Sequence, residues 1–280
     1  MRTIYTDEII KHIKEMCIEA NYQLASDVER RVRGAFDQEE STLGRLILNQ
    51  LSENLDIARD ELIPICQDTG MTVIFLKLGQ ELHIAGGSLE EAVNEGIRQG
   101  YKEGYLRKSV VEDPLLRNNT KDNTPGILHV EIVPGEELEI TVAPKGFGSE
   151  NMSRIYMLKP SDGVEGVKKA VYETVTLAGP NACPPIVVGV GIGGDFEKCA
   201  LLSKKALTRS MDQPSKLPHI RKLEEELLTG INQLGIGPGG FGGKTTALGV
   251  NVETYPTHIA GLPVAINISC HVNRHVSRII

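Results

Sequence analysis

Tryptophan is absent from the 280-residue chain, and aromatic residues make up only 4% of it. Proteins that hold single-stranded nucleic acid stack its bases on aromatic side chains, so this composition argues against such a platform. Positive charge is also scarce, because 30 lysines and arginines face 37 aspartates and glutamates, a net charge of -7. The acidic balance argues against nucleic-acid or membrane binding, but a local basic pocket would still admit an anionic small substrate.

Long apolar runs are missing as well. Asp7, Glu8 and Lys11 interrupt the apolar residues of the first segment, whereas a signal peptide has a continuous apolar core. No stretch approaches the roughly 20 apolar residues that span a bilayer. We therefore expect a cytoplasmic protein whose five cysteines are reduced. Disulfides then explain the cysteines poorly, which leaves burial, catalysis or metal binding.

Hydrophobic periodicity predicts helices and strands in irregular alternation. Helices are expected at 7–22, 26–37, 41–58, 88–105, 162–178, 195–208 and 215–234. Strands are expected at 71–78, 127–133, 138–143, 186–190, 246–252 and 263–268, the second and third joined by a Pro134–Gly135 turn. This order predicts an α+β (mixed α/β) fold rather than a regular βαβ repeat. No linker is evident, so we expect one domain over 1–280, with a helical subdomain at about 1–60 and a cluster- and substrate-binding region at about 61–280.

The five cysteines fall into two groups by setting. Cys17 and Cys199 lie within predicted helices and are expected to be small buried side chains. Cys66, Cys183 and Cys270 lie in loops or at a strand end, where a thiolate can turn toward a shared point.

The spacing of the three loop cysteines matches no CxxC clip, so by itself it is a weak metal signal. If they converge, three thiolates suit an iron–sulfur cluster with one open iron. A zinc ion would need a fourth ligand, for which His271 or His258 is available.

Two glycine-rich motifs resemble nucleotide-binding sites, but each lacks a feature that nucleotide binding requires. Gly189–Gly194 matches GxGxxG, but the next helix starts at Asp195, whose charge opposes a pyrophosphate, and no strand follows at the required distance. Gly243-Lys244-Thr245 resembles the end of a P-loop, but Pro238 stands where the pattern needs glycine. The amides of this loop and Lys244 are still candidates for binding another anion.

Several loop segments, taken together and in chain order, resemble the class I (iron–sulfur) fumarase family. The segments are Ile65-Cys-Gln-Asp-Thr-Gly70, 106–114, 119–125, Pro144-Lys-Gly-Phe-Gly-Ser-Glu-Asn151, Gly179-Pro-Asn-Ala-Cys-Pro-Pro185, 239–248, 256–258 and Asn267-Ile-Ser-Cys-His271. The resemblance implies the alpha subunit of a two-subunit hydro-lyase of the fumarate hydratase or tartrate dehydratase type. It also implies an oxygen-sensitive [4Fe–4S] cluster on Cys66, Cys183 and Cys270.

The resemblance further implies substrate and proton-transfer roles in the first segments. Gln67 and Asp68 fall at substrate-contact positions, and Asp68 is also a candidate for proton transfer. Arg107 matches an arginine that binds a substrate carboxylate, and His258 matches a histidine that pairs with the Asp68 position. The alternatives are a simple turn at Asp68, a surface Arg107 and a loop histidine at 258.

Gly146 and Gly148 match the substrate loop of the family, whose amides approach the substrate. Phe147 departs from the family pattern, because a smaller residue is expected there. Lys244 is a further candidate for substrate binding, with a solvated lysine as the alternative.

Single-chain members of the family continue into a second domain, whereas this sequence ends at Ile280. We therefore expect a separate beta subunit that supplies further substrate contacts and a base, in an alpha2beta2 assembly or around an alpha-subunit homodimer. The expected reaction is the reversible hydration of a C4 dicarboxylate: fumarate and malate of the tricarboxylic acid cycle first, tartrate to oxaloacetate next. The alternative is a zinc-binding structural or regulatory subunit without catalysis of its own.

Overall fold

The computed structural model describes residues 2–280. Its helices are α1 (Thr6–Tyr22), α2 (Ser26–Gln38), α3 (Thr42–Glu61), α4 (Leu89–Glu103), α5 (Phe147–Glu150), α6 (Gly163–Ala178), α7 (Phe196–Ala206) and α8 (Pro218–Gln233). Its strands are β1 (Arg2–Tyr5), β2 (Met71–Gly79), β3 (Leu82–Ala85), β4 (Ile127–Val133), β5 (Leu138–Lys145), β6 (Arg154–Leu158), β7 (Ile186–Gly193), β8 (Ala247–Tyr255), β9 (Leu262–Ser269) and β10 (Val276–Ile279). The predicted α+β class is confirmed.

The chain forms two compact units, each assembled from separate stretches of sequence. The described parts of the first are residues 2–25, 55–147 and 274–280, and the second comprises 26–54 and 148–273. No helix within 2–280 combines the length and the apolar character that crossing a membrane requires.

The first unit is built on a four-stranded sheet in the order β10-β5-β2-β4. β2 runs parallel to β4 and antiparallel to β5, so the two strands joined by the Pro134–Gly135 turn do not pair with each other. α1 and α4 cover one face of this sheet and bury its core. The two helices approach closely at Gly96 and Gly100, where an added Cβ would lie 2.7 Å from Ile13 Cβ and 2.8 Å from Cys17 Cβ.

The second unit is built on a sheet in the order β6-β9-β7-β8, with β7 and β8 parallel. Side chains alternate between the two faces of a strand. On β7, Val188 and Val190 accordingly pack in the core with α6 and α8. The intervening Gly189 and Gly191 face α7 on the other side.

The GxGxxG motif therefore has a packing role. A Cβ at Gly189 would lie 2.2 Å from the Ser203 carbonyl oxygen, and one at Gly191 would lie 2.1 Å from that of Cys199. Asp195 caps α7 by accepting a hydrogen bond from the Lys198 amide at 2.8 Å. The glycines bring helix and strand together, and an internal carboxylate occupies the helix N-terminus where a phosphate would bind.

Candidate active site

The structure separates the five cysteines as their sequence settings predict, and none forms a disulfide. Cys17 and Cys199 are fully buried, which confirms the expected core positions. Burial raises the pKa of the Cys17 thiol to about 12, so it is a poor source of thiolate. Cys66 and Cys270 are half-buried, and Cys183 is exposed. The three proposed ligand thiols are therefore the accessible ones.

The Cys66 loop leads from α3 into β2 and is anchored to the first unit on both sides of Asp68. On the N-terminal side of Asp68, the amide of the buried Ile65 donates a hydrogen bond to the Asn21 carbonyl at 2.9 Å. On the C-terminal side, the Thr69 carbonyl accepts a hydrogen bond from the buried Tyr101 hydroxyl at 2.7 Å. Such satisfied backbone groups hold a loop in one conformation without regular secondary structure.

The Asp68 carboxylate joins this loop to the glycine-rich loop of the same unit. One oxygen accepts from the Gly70 amide at 3.0 Å, and the other accepts from the Phe147 amide at 2.8 Å. A Cβ at Gly146 would lie 3.1 Å from Asp68 Oδ2, so glycine allows the close approach. The structure thus brings Asp68 and Gly146 together, and Phe147 contributes its amide while its side chain stays exposed.

Arg274 is a site residue that the sequence analysis missed. Its side chain is only 5% exposed. The guanidinium donates to the Asp68 carbonyl, and through Nε to the Pro144 carbonyl at 3.1 Å. Its Nη1 has no hydrogen-bond partner among the described residues, so this buried cation has a donor left for an additional acceptor. The one sequence feature that points to Arg274 as a site residue is its position shortly after Cys270.

The side chains of Arg107 and Gln67 are both exposed at the surface. The Arg107 segment is tied to the Cys66 loop, because the Thr69 hydroxyl donates to the Arg107 carbonyl at 2.9 Å. Gln67 is next to Asp68 in sequence, and Arg107 is linked to the same loop through Thr69. Their substrate roles stay predictions.

In the second unit, the segments of Cys183 and Cys270 meet through His271. The His271 Nδ1 lies 3.1 Å from the Cys183 carbonyl oxygen. Because a carbonyl only accepts, Nδ1 is the donor in this contact. Cys183 itself has a φ of 53°, a left-handed conformation uncommon for a side-chain-bearing residue and found often at functional sites.

Gly148 and His258 are also exposed in the second unit. His258 Nδ1 accepts from the Ala260 amide at 3.2 Å. Its pairing with Asp68 stays a prediction.

The glycine-rich loop before β8 is occupied from within by Glu39. This fully buried carboxylate accepts from the amides of Lys244 at 3.0 Å and Thr245 at 2.8 Å, and from Ser41 at 3.0 Å. Burial raises the pKa of Glu39, but these amides lower it further, so the net pKa is below its usual value. The Lys244 ammonium pairs with Glu40 at 3.2 Å and is largely exposed.

The cysteines are compatible with a cluster by the chemistry of their donor set. The accessible thiols are divided, one in the first unit and two in the second. Neither unit, over residues 2–280, contains by itself a group of three His, Cys, Asp or Glu side chains able to hold a metal. The orphan Nη1 of Arg274, behind the Cys66 loop, is a donor suited to an anionic group.

Replacement of Glu39 by Gln is expected to lower the free energy of unfolding by about 2 kcal/mol at pH 7, because bonds to a charged acceptor are lost. The pKa of Glu39 is lower in the folded protein than in the unfolded chain, where it is about 4.5. The stabilisation of the folded state by this carboxylate is therefore complete above that pH and is lost as the pH falls below it. The difference from wild type, from urea unfolding, should therefore shrink below that pH. Glu40→Gln, on the surface, should change little at either pH; equal effects of the two variants would contradict this account.

Replacement of Arg274 by Lys keeps the charge but cannot span the Asp68 and Pro144 carbonyls. We expect loss of about 1.5 to 3 kcal/mol of local stability, seen as roughly tenfold or more faster hydrogen exchange at the Phe147 amide. Arg278→Lys is the matched control, since Arg278 pairs with Glu15 and Glu19 at the surface. Unchanged exchange in Arg274→Lys would show that Arg274 does not position this loop.

Comparison with known proteins gives a consistent picture across nearly the whole chain. The family model of fumarate hydratase (Fumerase) matches residues 10–278. A putative L(+)-tartrate dehydratase subunit alpha from Methanocaldococcus jannaschii is 42% identical over 268 residues, covering 94% of this chain and 94% of that protein.

The L(+)-tartrate dehydratase subunit alpha of Escherichia coli strain UTI89 is 34% identical over 255 residues, covering 90% of this chain and 84% of that protein. The corresponding subunit of strain K12 is 33% identical over the same length. The chain therefore belongs to the fumarate hydratase family of hydro-lyases.

Proposed function

We propose that the chain is the alpha subunit of a [4Fe–4S]-dependent hydro-lyase that adds water to, or removes it from, a C4 dicarboxylate. The observation that carries the proposal is the separation of the cysteines. Cys66, Cys183 and Cys270, which match the ligand segments of the family, are accessible, whereas Cys17 and Cys199 are buried in the two units. Family membership supplies the reaction class.

Three thiolates are the donors that an iron–sulfur cluster takes. When bound, such a cluster supplies a Lewis acid that polarises a substrate oxygen through an iron without a protein ligand. Arg274 holds the carbonyl of Asp68 from behind and so positions the loop that carries Cys66.

Asp68 is the proposed proton-transfer group of this subunit. Its carboxylate is oriented by two amides and lies against Gly146, so its geometry is defined before substrate binds. Arg107 is the proposed partner of a substrate carboxylate, where a guanidinium can make two parallel hydrogen bonds. Gln67 adds an exposed amide side chain next to Asp68 in sequence.

The remaining proposed contacts come from the second unit. Gly148 continues the glycine-rich loop, His258 tunes the protonation of Asp68, and Lys244 adds a cation whose ammonium is accessible. The Lys244 backbone amide is already used by Glu39, so only its side chain is available to an anion.

A beta subunit completes the proposed enzyme. The relatives are themselves named as alpha subunits. By this similarity the residues 1–280 act with a separate chain that brings a base and further substrate contacts, as alpha2beta2 or around an alpha homodimer. We propose a cytoplasmic location, consistent with reduced cysteines.

Two substrates are candidates within the C4 class. The name of the family favours fumarate and malate, a pair of the tricarboxylic acid cycle. The names of the relatives favour L(+)-tartrate. The hydration of fumarate and the dehydration of malate or L(+)-tartrate require the same step, which is the addition or removal of a proton and a hydroxyl group on neighbouring carbons next to a carboxylate.

A structural zinc site is the competing proposal. His271 favours it, because imidazole is a common zinc ligand and the His271 ring contacts the Cys183 carbonyl. Anaerobically purified protein with one zinc and no sulfide would support zinc, and iron with equal sulfide would support the cluster.

Single Cys→Ser replacements at positions 66, 183 and 270 are expected to reduce bound iron and sulfide severely after anaerobic reconstitution. Cys199→Ser is the matched control, since its hydroxyl can keep the contact that the thiol makes with the Phe196 carbonyl. Iron, sulfide and circular dichroism are measured together, so that unfolded variants are recognised. Full iron in all three ligand variants would refute the cluster assignment.

Asp68→Asn is expected to lower kcat roughly 100-fold or more in the complex with the beta subunit, because the amide cannot exchange a proton. The chain is co-expressed anaerobically with the adjacent reading frame and assayed with fumarate, malate and the tartrate isomers. Asp60→Asn, a largely exposed carboxylate on α3, is the control. Wild-type kcat in Asp68→Asn would remove Asp68 from the chemistry.

A further inference from the structure

β4 is one of the two outer strands of the four-stranded sheet in the first unit, and β10 is the other. β4 pairs with β2 along one edge over all seven residues without a register shift, and no other strand of the described chain pairs with it. Its sequence, Ile-Leu-His-Val-Glu-Ile-Val, contains neither proline nor lysine. Natural sheet edges usually carry such residues, or bulges, to prevent pairing with another chain. This edge therefore has the features of a strand that is paired in the assembled protein.

The exposed side chains of β4 extend an apolar core outward. Directly paired residues share a face of the sheet. Leu76 of the buried core is the neighbour of Val130 on β4, and Leu78 is the neighbour of Ile132. Val130 is nevertheless 48% exposed and Ile132 69% exposed. The apolar layer beneath α1 and α4 thus runs to the sheet edge and stops uncovered.

The strand is complementary to itself when paired antiparallel about Val130. That register places Ile127 opposite Val133 of a second copy, and Leu128 opposite its Ile132. His129 falls opposite the second copy's Glu131, a pairing of an imidazole with a carboxylate.

Other antiparallel registers are disfavoured by charge. A register that keeps each residue on its face of the sheet can shift only by two residues. The nearest alternatives therefore place the two-fold axis at His129 or at Glu131. The register centred on Glu131 sets two carboxylates opposite each other, which is unfavourable, and the register centred on His129 leaves Glu131 opposite the apolar Ile127 of the second copy. β6, one of the two outer strands of the other sheet, has Arg154 as its one charged residue and therefore lacks a pair of opposite charges that would select a register.

We propose that two copies of this chain associate through β4, antiparallel about Val130, so that their two four-stranded sheets become one continuous sheet. The main-chain bonds across the new ladder provide affinity, and the His129–Glu131 pairs set the register. The proposal assigns an interface to the alpha-subunit homodimer of the proposed function, uses the first unit alone and does not depend on the cluster chemistry.

The central experiment places one cysteine on the proposed two-fold axis. In this register the residue at 130 lies opposite itself, with Cβ atoms about 5 Å apart, near disulfide range. Val130→Cys in the full chain is expected to give a disulfide-linked dimer under mild oxidation, on non-reducing gels and by mass spectrometry. The wild-type chain, with its native cysteines, provides the background.

Ile132→Cys is the matched control on the same face. Its two copies would be about 14 Å apart, because each lies opposite Leu128 rather than itself. It should not cross-link alone, but an Ile132→Cys chain mixed with a Leu128→Cys chain should. Equal cross-linking of Val130→Cys and Ile132→Cys, or none in either the Val130→Cys chain or the mixture, would overturn the proposal.

Charge exchange tests the register without cysteine chemistry. His129→Glu sets two carboxylates opposite each other, and Glu131→Lys sets lysine opposite histidine, so each variant should dimerise at least tenfold more weakly in analytical ultracentrifugation. Their equimolar mixture should recover the dimer, because the introduced glutamate of one chain then faces the introduced lysine of the other.

A wild-type chain that stays monomeric at all concentrations would overturn the proposal. A complex in which the beta subunit, rather than a second copy of this chain, covers the β4 edge would also overturn it.

Discussion

Carboxylates that accept hydrogen bonds from backbone amides hold the long loops of this protein in place. Asp68 accepts from Gly70 and Phe147 in the first unit. In the second unit Glu39 accepts from the loop before β8, and the buried Glu224 accepts from the Ser215 and Val252 amides. Loops without regular structure leave amide donors to be satisfied, and a buried unpaired donor is costly. The charged acceptors satisfy several donors at once and so give each loop one shape.

The same rule explains why two phosphate-like motifs do not imply a nucleotide. Glycine at 243 leaves room for Glu39, because a Cβ there would lie 2.7 Å from the Glu39 carboxylate. The amides that a phosphate would use in a P-loop are thereby taken by the protein itself. At Gly189 and Gly191 the missing side chains instead admit the backbone of α7. In both places the glycines serve close internal contact.

The proposed chemistry depends on this internal order. Asp68 is supported by two amides on its carboxylate and by Arg274 on its carbonyl, so the side chain close to the accessible Cys66 in sequence is positioned in advance. A hydro-lyase needs its proton-transfer group in a defined place beside the reacting atoms. The buried Arg274 also keeps one donor, Nη1, that is available to an anionic group next to the loop.

Local sequence determined the long periodic elements, the burial of Cys17 and Cys199, and the family, because amphipathic periods and contiguous motifs are encoded in neighbouring residues. The short strands β1, β3, β6 and β10 escaped prediction, since four or five residues carry too little periodicity and gain their bonds from distant partners. The separation of β4 from β5 by β2 was likewise decided in three dimensions. Only the tertiary structure could reveal the roles of Glu39 and Arg274, because a buried charge is recognised by the far-removed backbone groups that it contacts.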